Sequence, residues 1–294
     1  MNLESFCQRH GLPAVYAEFA GRYFLPFADW LEGRVAEHSD GAYVLGLNGA
    51  QGTGKSTLAA LLSEYLAAEY DRNVVVLSID DIYLGREERL SLGKRIHPLL
   101  STRGVPGTHD IELGIRVIKR LKSMQAGESF SIPRFDKSRD DRFPRSDWGT
   151  VTGAVDLVIF EGWCVASQSV PDAELDEPIN ALEASADSDG RWRNYVNNRL
   201  RTDYAQLFEL LDGLLFLKAP CFDAVLRWRL EQEHKLRQNA AANADAIMSD
   251  EQVATFIQHY ERITRQNIAL LPSIADAVIG LANDHAAISL TYRQ

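Results

Sequence analysis

Short apolar runs alternate along the chain with longer stretches of helical periodicity. Six runs predict strands, because aliphatic and β-branched residues follow one another without the alternation of a half-exposed strand. They cover residues 43–48, 74–79, 156–161, 213–218, 276–282 and 288–292, the last as an edge strand. Helix-compatible stretches cover residues 55–70, 110–125, 193–211, 220–239 and 249–270. Strands that alternate with helices predict an α/β fold, a mainly parallel sheet with helices on both faces.

Three segments fall outside this alternation. Residues 1–40 precede the first core strand and predict an N-terminal helical extension broken by Pro13 and Pro26. Residues 126–150 mix basic, acidic, aromatic and proline residues, whereas residues 171–190 are rich in acids and are expected to form a solvated loop. Since no repeat or linker divides the chain, we predict one domain over residues 1–294 that carries these two insertions.

The composition is that of an ordinary globular protein, with 294 residues of which 46% are hydrophobic and 24% charged. No apolar run approaches the length of about 18 residues that a membrane span needs, and the first residues lack the pattern of a signal peptide. Cys7, Cys164 and Cys221 lie far apart without a CxxC pair, which argues against a disulfide scaffold or a structural zinc site. These features favour a cytoplasmic setting.

The formal net charge of −10, from 31 basic and 41 acidic residues, argues against nucleic acid or an anionic membrane as the main partner. The charge is unevenly distributed. Residues 171–189 contain seven acids and no lysine or arginine, whereas residues 134–145 carry five basic residues against three acids. A small anionic substrate responds to local charge, so it remains compatible with the acidic total.

The segment GAQGTGKST (49–57) follows the first predicted strand, opens the first predicted helix and satisfies GxxxxGK[ST]. Its glycines let backbone N–H groups converge on phosphate oxygens at the positive end of the helix. In this spacing the lysine reaches the β- and γ-phosphates, and the next hydroxyl is placed for Mg²⁺. The sequence therefore predicts a P-loop that binds a nucleotide, expected to be ATP, with Mg²⁺. The predicted nucleotide-binding residues are Gly49, Gly52, Thr53, Gly54, Lys55, Ser56 and Thr57.

Acids follow two of the predicted strands. Asp80 and Asp81 follow the second, and Glu161 ends the third. A single carboxylate at such a strand end is typical of small-molecule kinases and can hold Mg²⁺ or its water shell. Phosphoryl transfer to an alcohol also needs a group that orients the hydroxyl and accepts its proton, a role we assign to Asp80. Helix capping is the alternative role for Asp80. We predict Ser56, Asp80 and Glu161 as the metal site, and Lys55, Asp80 and Glu161 as catalytic.

Taken together, the ordered motifs resemble the plant-type glycerate kinases, members of the P-loop kinase group that also contains uridine, pantothenate and phosphoribulo-kinases. The motifs are GAQGTGKST, SIDDIYL, RGVPGTHD (103–110), IPRFDKSRDDR (132–142), LVIFEGW (157–163), WRLEQE (228–233) and MSDEQV (248–253). The resemblance implies a P-loop NTPase fold with a lid, and transfer of the ATP γ-phosphate to the 3-hydroxyl of D-glycerate. The chain reads SRDDR at 138–142 where the family pattern reads GRGDR, which predicts a stiffer loop or one shaped for another polyol acid.

Glycerate carries a carboxylate, so its pocket should contain guanidinium or ammonium groups. On the resemblance and this chemistry, the expected substrate-binding residues are Arg103, His109, Asp110, Arg134, Lys137 and Arg142. A charge-mixed surface loop is the alternative for residues 132–145, and a structural role suits His109 equally well.

The basic helix predicted at 219–238 corresponds to the lid of this kinase group, and the resemblance implies that Arg229 stabilises the transferring charge. A solvated basic helix face is the alternative. Trp163, Trp192 and Trp228 are expected to pack in the core, and Cys164 to be a small buried residue near the site. Two other functions stay open: a kinase for another small alcohol such as uridine or pantothenate, and a nucleotide-binding regulator without transfer activity.

Overall fold

The computed structural model describes residues 1–239 and 248–293 of the chain. Its strands are β1 (Tyr43–Gly49), β2 (Val74–Ser78), β3 (Ser129–Ile132), β4 (Phe135–Asp136), β5 (Asp141–Arg142), β6 (Gly149–Thr152), β7 (Leu157–Gly162), β8 (Gly213–Lys218), β9 (Ala277–Leu281) and β10 (Ala287–Tyr292). Six of them form the central sheet in the order β10-β9-β8-β1-β7-β2. The five strands from β9 to β2 are parallel, and β10 pairs antiparallel with β9 at the edge.

The helices of the described residues lie between and around these strands. They are α1 (Leu3–Arg9), α2 (Val15–Phe19), α3 (Leu25–Glu37), α4 (Lys55–Tyr70), α5 (Arg86–Arg95), α6 (Ile111–Lys122), α7 (Ala181–Ala186), α8 (Arg191–Arg199), α9 (Ala205–Phe208), α10 (Phe222–Asn239) and α11 (Asp250–Leu270). All seven residues of β1 are buried. Because side chains alternate between the faces of a strand, both faces of the sheet are covered. The predicted α/β class with a mainly parallel sheet is confirmed.

The N-terminal extension is helical, but Pro26 does not break it. A π-helical turn, Ala20–Phe24, leads directly into α3, and Pro26 lies in the first turn of that helix. A proline is tolerated there because the first N–H groups of a helix have no intrahelical acceptor. The helix predicted at 193–211 is likewise divided, into α8, a π-helical turn over Leu200–Tyr204, and α9.

The acidic segment 171–190 is mostly exposed, as its composition predicts, but it contains two short helical segments and two buried acids. Glu183 and Asp187 are completely buried. Arg262 pairs with Glu183 at 2.6 Å, and Arg193 pairs with Asp187 at 2.9 Å. The prediction was wrong for these two acids because their arginines lie outside the segment, where its composition gives no sign of them.

The insertion 126–150 folds into two small antiparallel pairs, β3 with β6 and β4 with β5. Within the described ranges, no helix is both long enough and apolar enough to cross a bilayer.

Candidate active site

The glycine-rich segment forms a turn between β1 and α4. Gly52 and Gly54 have φ values of +79° and +81°, a region that glycine enters without strain. A Cβ on Gly52 would also lie 2.6 Å from Cβ of Trp228. The buried Thr53 hydroxyl donates to the Ala50 carbonyl at 2.8 Å, and this hydrogen bond stabilises the turn. The N-terminus of α4, beginning at Lys55, therefore opens toward the carboxyl edge of the sheet.

Register brings the predicted acid of β7 to the same edge. Glu161 lies opposite Leu47 of β1 and Ser78 of β2. The Ser56 hydroxyl donates to Glu161 Oε1 at 2.9 Å. Glu161 is only 5% exposed, and its Oε2 is a buried oxygen without a hydrogen-bond donor in the described structure. This carboxylate therefore has one oxygen on the P-loop and one left for another ligand.

Asp80 follows β2 on a single 3₁₀ turn, Ile79–Ile82, and Ser78 rather than Asp80 caps that turn. Lys137 donates to Asp80 Oδ2 at 2.6 Å, and the Tyr83 hydroxyl donates to Oδ1 at 2.9 Å. Burial alone would raise the pKa of Asp80, but the nearby charges of Lys137 and Lys55 hold it below its ordinary value. The carboxyl group is therefore an ionised acceptor at neutral pH.

Asp81 has a different role from its neighbour. Its Oδ1 accepts a hydrogen bond from the backbone N–H of Phe135 in β4, at 3.1 Å. Burial raises the pKa of Asp81. The two adjacent acids therefore differ in position: Asp80 lines the cavity, whereas Asp81 joins the insertion to the end of β2.

His109 is buried beside this pair. Its ring stacks on Tyr83 with centroids 4.4 Å apart, and its Nδ1 meets the Tyr204 hydroxyl. That hydroxyl accepts the Gly107 N–H at 2.9 Å, so its own proton is directed to Nδ1. The neutral imidazole then carries its proton on Nε2, which has no partner among the described residues. Burial lowers the pKa of His109 to about 3, so the ring is neutral at pH 7.

A cavity of about 580 Å³ lies along this edge. Ten of the residues predicted for the site line it: Gly52, Gly54, Lys55, Ser56, Thr57, Asp80, Arg103, Lys137, Glu161 and Arg229. The other six are set back from it. Gly49 and Thr53 pack against each other within the P-loop, Asp110 caps α6, and the Arg134 carbonyl accepts the Phe143 N–H. His109 and Arg142 complete the six.

The basic residues predicted for substrate are joined to acids of the chain. Arg103 pairs with Asp140, and Lys137 with Asp80. Arg142 pairs with Glu88 at 3.0 Å and with Asp110 at 3.1 Å. Arg229, which was predicted to belong to a lid, pairs with the buried Glu233 at 2.7 Å. Most of this positive charge therefore already has a counter-ion within the protein.

Sequence reasoning missed several residues that line the cavity. Tyr83 contacts Asp80, and Tyr260 packs on Trp163 with ring centroids 4.8 Å apart. Trp228 stacks on His285, and His285 Nδ1 lies 2.9 Å from the Gly52 carbonyl. The tryptophans are buried as predicted, but Trp163 and Trp228 also form cavity wall. Cys164 is buried as predicted, and burial raises the pKa of its thiol.

A P-loop between a parallel strand and its helix, with acids at the ends of two neighbouring strands, defines a P-loop kinase. Comparison with known proteins places the chain more closely. It is 36% identical over 231 residues to the uncharacterized kinase mug58 of Schizosaccharomyces pombe, covering 74% of this chain and 78% of that one. It is 30% identical over 253 residues to the chloroplastic D-glycerate 3-kinase of Arabidopsis thaliana, covering 81% of this chain but only 52% of the plant enzyme.

Among solved structures, the D-glycerate 3-kinase of Cryptococcus neoformans superposes with a TM-score of 0.75 at 25% identity. That alignment covers 92% of this chain and 99% of the fungal one. No family model matches the sequence. The chain belongs to the same family of P-loop kinases as these relatives.

Proposed function

We propose that the protein transfers the γ-phosphate of ATP, with Mg²⁺, to the hydroxyl of a small hydroxy acid, and that D-glycerate is the acceptor and 3-phosphoglycerate the product. The observation that carries this proposal is the position of Asp80. Its ionised carboxylate lines the same cavity as Lys55 and Ser56 of the P-loop. A nucleotide-binding protein that only senses its ligand has no need of a proton acceptor beside the γ-phosphate.

The nucleotide would be held by the P-loop. Backbone N–H groups of residues 49–57 and the N-terminus of α4 suit the phosphates, and Lys55 suits the β- and γ-oxygens. Arg229, which lies on α10 and lines the cavity, would stabilise charge on the transferring group.

The donor set at the strand edge fits Mg²⁺. The Ser56 hydroxyl and the Glu161 carboxylate are hard oxygen ligands, and Glu161 Oε2 is a buried oxygen that lacks a donor within the described residues. Asp80 lies at the end of the neighbouring parallel strand. Bound there, Mg²⁺ would neutralise charge that develops on the phosphate oxygens.

Asp80 would orient the acceptor hydroxyl and take its proton. A carboxylate of low pKa serves this step because a loose phosphoryl-transfer transition state needs positioning more than a strong base. Arg103 and Lys137 line the cavity and suit the acceptor carboxylate. We propose supporting roles for the four residues set behind them: His109, Asp110, Arg134 and Arg142.

The relatives support phosphoryl transfer more firmly than they support one acceptor. Two of them are D-glycerate 3-kinases by name. The chain is also 28% identical over 242 residues to the mouse uridine-cytidine kinase-like 1, covering 80% of this chain and 40% of that one. The choice of D-glycerate therefore rests on the higher identity and on the basic side chains of the cavity.

A panel of acceptors tests the proposal. Purified protein is incubated with ATP and Mg²⁺, and release of ADP is measured with D-glycerate, L-glycerate, uridine, pantothenate and no acceptor. We expect D-glycerate alone to raise ADP release far above the rate without acceptor, with 3-phosphoglycerate as product. Higher turnover with another alcohol would replace the substrate. ATP binding with no acceptor-stimulated turnover would favour the regulator.

A further inference from the structure

Asp140 occupies an unusual backbone position next to the cavity. Its φ is +55°, in the left-handed region that aspartate, asparagine and glycine tolerate better than other residues. This conformation places both its carbonyl and its carboxylate on Arg89: the carbonyl accepts from Nη2 at 2.6 Å, and Oδ2 lies 3.0 Å from the same nitrogen. Arg89 is almost fully buried, so Asp140 is its counter-ion.

The other carboxylate oxygen of Asp140 reaches a second arginine. Oδ1 accepts from Nη1 of Arg103, the arginine that lines the cavity. Both guanidinium groups also lie near the ring of Phe135, with Cζ at 5.9 Å for Arg89 and 5.7 Å for Arg103. Asp140 thus bridges one buried arginine and one arginine that faces the substrate space.

This arrangement alters what Arg103 offers to a ligand. The Arg103 side chain is 30% exposed, but one terminal nitrogen of its guanidinium already binds the Asp140 carboxylate. An acceptor carboxylate that pairs with Arg103 must share it with Asp140, and it must lie close to a like charge. An acceptor without a charge at that position meets neither obstacle.

We infer that Asp140 is a specificity-determining residue that acts through Arg103 and weakens the binding of the acceptor's carboxylate. The inference rests on the proposed function, since it takes Arg103 as the partner of that carboxylate. Asp140 sets the affinity for acidic acceptors and leaves the affinity for uncharged ones unchanged. Its role is distinct from catalysis, because it contacts Arg103 rather than the reacting groups.

The test removes the charge of Asp140 and keeps the shape of its side chain. Asp140→Asn suits the same backbone conformation and retains the carbonyl contact to Arg89. We expect KM for D-glycerate to fall about two- to fivefold, the range that corresponds to the energy of one partly exposed charge interaction. The kcat and the KM for ATP should stay unchanged. Glycerol, the uncharged analogue, should show the same KM, or the same inhibition constant, in both proteins.

Matched variants separate this inference from a structural effect. Asp147→Asn removes an exposed acid of the same insertion, whose side chain contacts Ser146, and should leave every constant unchanged. In an Arg103→Gln background, Asp140→Asn should no longer lower KM for D-glycerate. Because Arg89 also loses its counter-ion, thermal unfolding is recorded for each protein. If Asp140→Asn does not fold, Arg89→Gln with Asp140→Asn removes both charges and serves for the same comparison.

An unchanged or raised KM for D-glycerate in folded Asp140→Asn overturns the inference, and a raised value would mean that Asp140 positions Arg103 for the substrate. An equal change for D-glycerate and glycerol also overturns it. Failure of the proposed function has a different signature, the absence of D-glycerate turnover in the wild type and in every variant, and the inference falls with it.

Discussion

The Ser56 hydroxyl donates a hydrogen bond of 2.9 Å to Glu161, 105 residues further along the chain. The P-loop and the end of β7 are thereby joined through the two side chains whose oxygens best suit a hard cation. The contact exists because β1 and β7 are neighbours in register, with Leu47 opposite Glu161. A metal bound at the nucleotide would be held by both segments together.

Replacing Glu161 by Gln keeps an oxygen for Ser56 but removes the charge. We expect the Mg²⁺ concentration for half-maximal ATP turnover to rise about 10- to 100-fold, as when a partner that orients a metal ligand is lost. Turnover measured across a Mg²⁺ titration checks this. Ser56→Ala is the companion variant, and the pair should be strongly non-additive. An unaltered Mg²⁺ requirement in Glu161→Gln would remove Glu161 from the metal site.

Replacing Asp80 by Asn tests the proton acceptor. Turnover should fall about 10²- to 10⁴-fold, the usual contribution of a general base, while ATP affinity changes little. The neighbouring variant Asp81→Asn is the control, because its amide oxygen can still accept the Phe135 N–H. Steady-state kinetics and ATP binding of both variants decide the matter. Equal losses in the two would show that the acids act on loop structure instead.

The pH dependence of stability should report the burial of His109. Its folded pKa of about 3 lies below the ordinary value of 6.5, so between these pH values only the unfolded chain binds the proton. The free energy of unfolding then decreases as the pH falls, by up to about 1.4 kcal/mol per pH unit from this group. Urea unfolding of the wild type and His109→Gln at pH 7, 6 and 5 measures it. The variant should lose less stability toward pH 5; parallel curves would contradict the prediction.

The buried acids of residues 171–190 should matter for stability. Glu183→Gln leaves Arg262 without its buried counter-ion, and we expect the free energy of unfolding to fall by about 3 kcal/mol. Asp172→Asn removes an acid of the same segment whose pair with Arg201 is exposed, and its cost should stay below about 1 kcal/mol. Denaturant unfolding compares the two. Similar small effects would mean that the Glu183 pair contributes no more than a surface one.

Much of the fold follows from local pattern. The runs at 43–48 and 74–79 became Tyr43–Gly49 and Val74–Ser78. The first is buried throughout, as a continuously apolar strand predicts, whereas the second ends the sheet and only its alternate residues are buried. The order of the strands could not be predicted, since an apolar run does not specify its neighbours. The strands of the insertion were missed because each has two to four residues and several of those are exposed.

The site also contains residues that the sequence predicts and residues that it does not. Lys55, Ser56, Asp80 and Glu161 stand in motifs whose spacing carries their chemistry, and the structure brings them to one cavity. Tyr260 reaches that cavity from α11, where it occupies an ordinary apolar helix position that marks no function. The acids that pair with the predicted basic residues were missed because ion pairing depends on tertiary contacts, as between Arg142 and Glu88.

Asp80 and Asp81 are adjacent, and this limits which changes of chain length the site can accept. The first reaches the cavity and the second holds the backbone of Phe135, two residues before Lys137. The proposed proton acceptor and the loop that would bind the substrate are therefore both positioned by Asp80 and Asp81, at the end of β2. The other strand pair of the insertion, β3 with β6, takes no part in these two contacts. A residue inserted between Asp80 and Asp81 would shift the proposed proton acceptor relative to the loop that carries Lys137.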